Sequence, residues 1–298
     1  RMSEIPENKT IDTFEDQYQI KKTSYQKEIM QWIKEAEEEL ADLYLRKALL
    51  EADFETLLQQ YRQLILAQQP FSTIAKTNLL EYLSYYLLEP FHSIGMQQTD
   101  HYNTWETNHF YVAYQLNEAN HLVLHFQLKV IDERFFMEYI PLITLDMDKM
   151  EVTIAEKEVH TLISLWYSDK YLSRTQLSLF NQDLNRLFVH LKALGFDVLT
   201  SLLDNTQALS LQLISDFPAS AAILDQIFIT TMESEEYDFD KIGSQQYQVT
   251  LTQGQTMKID IHENQTVLFI DSNLRKRSIL DFVTSYPFLV PLFVQVRK

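Results

Sequence analysis

Metal chemistry in this sequence would fall first to His121 and His125, four residues apart, with His109 nearby. Imidazole nitrogens that converge on one point can hold a transition metal. Alternation places His121 and His125 on one face of a strand, and a register with Leu116 opposite Leu122 sets His125 across from Ala113 and His121 across from Asn117. That neighbour offers no third ligand, so the expectation is histidines covering a sheet, with no metal. Two carboxylate pairs, Asp146 with Asp148 and Glu156 with Glu158, could do acid and base work. Their spacing puts each pair on the wet side of a strand, and nothing singles one out. Asp238-Phe239-Asp240 followed by Gly243 opens like a calcium loop, but its twelfth position is Val249 where a bidentate Glu is required. The acidic run from Glu233 to Asp240 is therefore expected to be a solvated loop, with docking to a basic partner as its functional option.

Glycine and cysteine narrow the chemistry further. Gly95, Gly195, Gly243 and Gly254 are the only glycines, all isolated, so neither a phosphate-cradling Walker loop nor a dinucleotide fingerprint can be assembled, and no cofactor is expected. There is no G-x-S-x-G elbow for a hydrolase nucleophile. The absence of cysteine removes disulfides, thiol catalysis and thiolate zinc sites, and is compatible with an intracellular protein. What remains for an enzyme or a small-ligand binder is an unfamiliar site on an antiparallel sheet, where Trp105, Tyr111, Tyr114 and Phe126 could line a pocket beside His109, His121 and His125.

The charge balance is −17, from 42 acidic and 25 basic side chains. Phosphate binding needs clustered cations, and Arg275, Lys276 and Arg277 form the only local run, so direct nucleic-acid binding is not expected. No run approaches the ~18 apolar residues of a membrane helix, and no basic-then-apolar leader opens the sequence. A soluble protein with no membrane partner is expected.

The element that organises the rest is a glycine-free stretch from Thr23 to Gln69. Ile33, Ala36, Leu40, Leu43, Lys47, Leu50, Phe54, Leu57, Tyr61 and Leu64 recur at spacings of three and four, the seam of a coiled coil. Thr23 with Gln26 reads as a capping box, and Pro70 stops the helix. Within that seam Leu40, Leu43, Lys47, Leu50, Phe54, Leu57 and Tyr61 are the expected partner-binding residues. In a parallel homodimer the two Lys47 ammonium groups would face each other, so a heteromer is favoured. Leu45 and Leu49, on the far side of the helix, suggest contact with a second neighbour or with the chain's own body.

Residues 1–22 read as a flexible acidic tail and 23–69 as the coiled-coil helix. A first α+β domain is expected over 70–195 and a second over 196–298. In the first, Ser72 or Thr73 caps a helix to Leu88, a polar loop spans 97–108, and strands follow at Phe110–Leu116, Leu122–Val130, Phe135–Leu145 and Val152–Val159. A helix carrying Leu177, Phe180, Leu184, Leu187, Phe188, Leu191 and Leu194 ends at Gly195. In the second, Val198–Leu203 and Leu209–Ile214 flank a turn at Asp204-Asn205. A helix then opens near Pro218, a meander spans Tyr247–Leu251, Met257–His262 and Thr266–Asp271, and a last helix runs from Leu274 to Thr284. The predicted class is α+β: a long N-terminal helix, then two helix, antiparallel meander, helix units.

That organisation over residues 23–298 resembles coiled-coil kinetochore subunits with tandem RWD domains, and Tyr286-Pro287-Phe288-Leu289-Val290-Pro291 is similar to the YPxxxP turn of those domains. The seam with Lys47 inside it, and the absence of a recognisable catalytic constellation, lead to the expectation of a non-enzymatic subunit of a protein complex. A scaffold that joins other subunits through its helix is the function expected here.

Overall fold

The computed structural model describes residues 4–130, 137–167, 173–199, 210–215, 217–251, 254–269 and 285–294. The class is α+β, as the periodicities predict. The chain divides into two compact units, residues 1–83 and 84–298.

In the first unit α1 spans Glu4–Glu51, so it starts far before Thr23. Of the residues expected in a tail, 4–22 are helical, and Thr23 is an interior position. The physical reason lies in the sequence itself: no glycine occurs before Gly95, and Pro6 falls in the first turn, where its missing N–H breaks no helical bond. The helix also ends early. Ala52 and Asp53 interrupt it, and α2 begins afresh at Phe54–Tyr61. Asp53, extended at φ −77° and ψ 175°, accepts a 2.9 Å bond from the Thr56 amide and caps α2. A short acidic side chain that satisfies an orphan N–H competes well with an unbroken helix. A π turn, Arg62–Leu66, follows, closed by the Ala67 amide on the Arg62 carbonyl at 2.8 Å.

The predicted cap of the next helix, α3 (Thr73–Leu87), is formed by Ser72, whose Oγ accepts from the Ala75 amide at 3.0 Å. The same hydroxyl donates to Asp42 of α1, and Arg46 Nε donates to Asn78 Oδ1 at 3.0 Å. One side of α1 is thereby tied to the start of α3.

In the second unit a 3-10 turn, Glu89–Ile94, ends at Gly95 with φ +80°, a left-handed conformation that suits glycine. The first sheet then contains seven strands in sequence order: β1 (Gln97–Gln98), β2 (Thr104–Glu106), β3 (Phe110–Leu116), β4 (Leu122–Leu128), β5 (Ile140–Asp146), β6 (Glu151–Ile154) and β7 (Asp197–Leu199). β1 and β2 occupy part of the expected polar loop. The β3–β4 register is one of those the alternation allows, Leu116 opposite Leu122 and Ala113 opposite His125. It puts Phe110, Val112, Tyr114, Leu122, Leu124 and Phe126 on one buried face.

The expected fourth strand stops at Ile154, because Glu156–Tyr167 forms α4. Val159, Leu162 and Ile163 are buried at spacings of three and one, a helical rather than an alternating pattern. α5 (Arg174–Ala193) opens with a capping box between Ser173 and Gln176 and sets Phe180 against Phe110 and Phe126 at 5.3 and 5.5 Å between ring centroids. Gly195, at φ +102°, turns the chain out of it. β7 pairs in parallel with β6, so it completes the first sheet instead of opening a hairpin with Leu209–Ile214. Parallel pairing needs a long crossover, and α4 with α5 supplies one.

The second sheet is antiparallel throughout, in the order β8 (Ser210–Ile214), β12 (Gln265–Phe269), β11 (Thr256–His262), β10 (Gln246–Thr250), β9 (Phe239–Gly243). β9 takes up the end of the acidic run expected to be loop. Alternation brings Phe239 back to the core side, where it meets Phe228 of α6 (Ala221–Ser234) edge-on at 5.7 Å. A 3-10 turn at Pro287–Leu289 and a short helix at Val290–Phe293 bury Phe288, Leu289, Val290 and Leu292. The turn expected at Asp204-Asn205, the helix expected from Leu274 to Thr284 and the basic run Arg275 to Arg277 lie outside the described residues.

Candidate functional site

The seven seam residues divide into two environments. Leu40 and Leu43 are each 51% exposed and Leu50 is 65% exposed, with Lys47 also in solvent, whereas Phe54, Leu57 and Tyr61 are buried. Asp53 marks the change. At about 100° per residue, Leu40, Leu43, Lys47 and Leu50 occupy one side of α1. Asp42, Leu45, Arg46 and Leu49 lie about 130° away around the axis. This second strip is the one engaged by the chain itself, through the two ties to α3 and through Leu49, which is buried. The helix therefore turns its far strip inward and its seam outward.

The exposed face continues toward the N-terminus through residues that the sequence reading left out. Phe14, Tyr18, Tyr25, Ile29 and Trp32 are all exposed and lie within about 100° of arc with the seam residues Ile33, Leu40 and Leu43. The signal was available in the spacings of four, seven, four and three from Phe14 to Trp32. It was obscured by reading residues 1–22 as a tail and by Lys22 within the stripe. Scattered apolar side chains are normal on a surface, but these follow one side of a single helix from Phe14 to Leu43, interrupted by Lys22.

The residues considered for a pocket on the first sheet do not gather. Trp105 Nε1 donates to Ser84 Oγ at 3.1 Å, the Tyr114 hydroxyl donates to the Tyr102 carbonyl at 3.0 Å, and Phe126 is packed among Phe91, Phe110 and Phe180 on the core side. Tyr111, His121 and His125 belong to the alternate face. Lys129 Nζ stands 5.1 Å from the Tyr111 ring centre and 2.6 Å from Glu106.

The histidines have separate partners. His109 Nδ1 is 3.5 Å from Asp183 of α5, and His121 Nε2 is 3.3 Å from Asp146. Burial pushes the His125 imidazole below its usual range. Among the described residues, no group of three or more His, Cys, Asp or Glu is placed to hold a metal.

Asp146 accepts from the amides of Asp148 and Lys149, both at 3.0 Å, in the turn between β5 and β6. Burial raises its pKa, but those amides and His121 outweigh it and leave the carboxyl below its ordinary value. Glu156 and Glu158 are positions of α4 instead of a strand. No helix of the described residues is long and apolar enough to cross a membrane.

No protein-family model matches the chain, and neither a curated protein nor a solved structure matches it.

Proposed function

We propose that this chain is a non-enzymatic assembly subunit that joins a protein complex through the outward face of α1. The observation that carries the reading is the division of that helix: one strip is held by the chain's own α3, while a longer apolar strip from Phe14 to Leu50 is left in water. Covering such a face is favourable at roughly 25 cal/mol per Å² of apolar surface removed from water. The occupant is a helix of another protein, because Lys47 would meet its own copy in a parallel pair of identical chains. No direct contact with nucleic acid is part of the proposal, given the acidic balance of the chain. The organisation resembles coiled-coil kinetochore subunits with tandem RWD domains, which makes a kinetochore-like scaffold the first assembly class to test.

The test is reconstitution. A partner recovered with the full chain, purified separately and recombined, should form a stoichiometric complex by light scattering. Leu40→Asp combined with Leu43→Asp should abolish it, since carboxylates in an apolar seam cost several kcal/mol. A complex that survives both substitutions, or a chain that is monomeric with every recovered protein, overturns the reading.

A further inference from the structure

The outward face of α1 carries charges in a pattern that specifies its occupant. Glu28, Glu35 and Glu39 run along one border of the seam, with Lys21 nearer the N-terminus, and Glu37 along the other, all exposed, while Lys22 and Lys47 sit inside it, also exposed. In a helical pair these border positions contact the flanks of the facing helix, and position 47 contacts its core layer. Resting on the assembly reading above, we propose that the occupant is a helix of another protein with an apolar seam, Lys or Arg on both flanks, and an acidic side chain set opposite Lys47.

A second copy of this chain does not meet that description in either direction. A parallel copy puts Lys47 against Lys47, and its one attractive border pair, Arg46 with the facing Glu51, draws on a guanidinium already bonded to Asn78. The reversed register that would pair Lys47 with Glu15 brings Leu40 against Lys22, Leu43 against Gln19 and Ala36 against Gln26. Three apolar layers would then be lost to polar chains, whose burial without partners is costly. A basic-flanked helix satisfies the borders and the seam together, and its charges also speed and orient encounter with the acidic helix.

The experiment titrates the full chain with two synthetic helices of about five heptads, each with Leu at both seam positions. One is flanked by Lys with a single Glu to meet Lys47, and the other is flanked by Glu with a single Lys there. Each probe repels its own copies. The Lys-flanked helix should bind roughly tenfold tighter or more in low salt, with the difference shrinking near 1 M salt, where screening acts over about 3 Å. Glu35→Lys, Glu37→Lys and Glu39→Lys together should reverse the preference. Equal affinities, the opposite preference, no binding of either helix, or a full-chain dimer in light scattering that excludes both helices would overturn the inference. Leu40→Asp with Leu43→Asp separates the two levels. If that variant binds as the native chain does, the assembly reading fails; if it loses binding while no charge preference exists, only the partner chemistry fails.

Discussion

Leu43 and Leu57 stand two heptads apart on one predicted seam, yet Leu43 is 51% exposed and Leu57 is fully buried. Asp53, between them, ends the geometric continuity that a heptad assumes. The two leucines should therefore answer to different measurements. Leu57→Ala should lower the stability of the full chain by about 2–5 kcal/mol in denaturant unfolding. Leu43→Ala should change it by about 0.5 kcal/mol or less. Equal losses at both positions would mean that α1 is covered by its own chain along its whole length.

The break itself is open to test through Asp53. Its pKa is lowered, chiefly by the hydrogen bond from Thr56, so its contribution is present above the unfolded aspartate pKa and is lost as pH falls through the lower folded value. Asp53→Ala should lower the protection factor of the Thr56 amide near neutral pH, and acid should lower the same protection factor in the native chain once the intrinsic slowing of exchange is divided out. An unchanged Thr56 amide in the variant would remove the cap from the account of the break.

Asp183 is pushed in the other direction. Burial raises its pKa, opposed by its hydrogen bond with His109 and by the charges of His109 and Arg186. A carboxyl whose folded pKa is raised favours the folded state most when protonated, and its penalty grows as pH rises from the unfolded pKa through the folded one. Asp183→Asn keeps an acceptor for His109 and removes the buried charge. Thermal unfolding across pH should show the variant gaining on the native chain from acid to neutral conditions, and a pH-independent difference would contradict this.

Tyr247, buried on β10, donates its hydroxyl to Asp225 Oδ1 of α6 at 2.6 Å, and burial is the first cause raising its pKa. Hydrogen bonds to charged groups contribute about 1.5–3 kcal/mol, so Tyr247→Phe should lower stability by that order, since the ring contact with Phe228 is retained. A loss far beyond it in denaturant unfolding would point to repacking of the Phe228–Tyr247 contact.

By itself the sequence determined the elements whose signals are local. Alternation from Phe110 to Leu128 specified two strands, their apolar faces and the parity of their register, because a slip of one residue would turn every apolar side chain into water, while slips of two remained open until the pairing was seen. Ser72 and Gly195 marked helix ends through bonds and dihedrals that reach no further than a few residues. Heptad spacing likewise showed that α1 owns an apolar face, but not which neighbour covers it. That choice belongs to contacts separated by thirty residues or more, such as Arg46 with Asn78 and Asp42 with Ser72, whose energies no local pattern encodes. The same holds for β7, which reads as the first half of a hairpin and is instead captured by β6 across the whole α4–α5 crossover. Tertiary structure decided these points because a side chain's periodicity fixes which way it faces along its own element, while burial depends on what packs there from elsewhere in the chain.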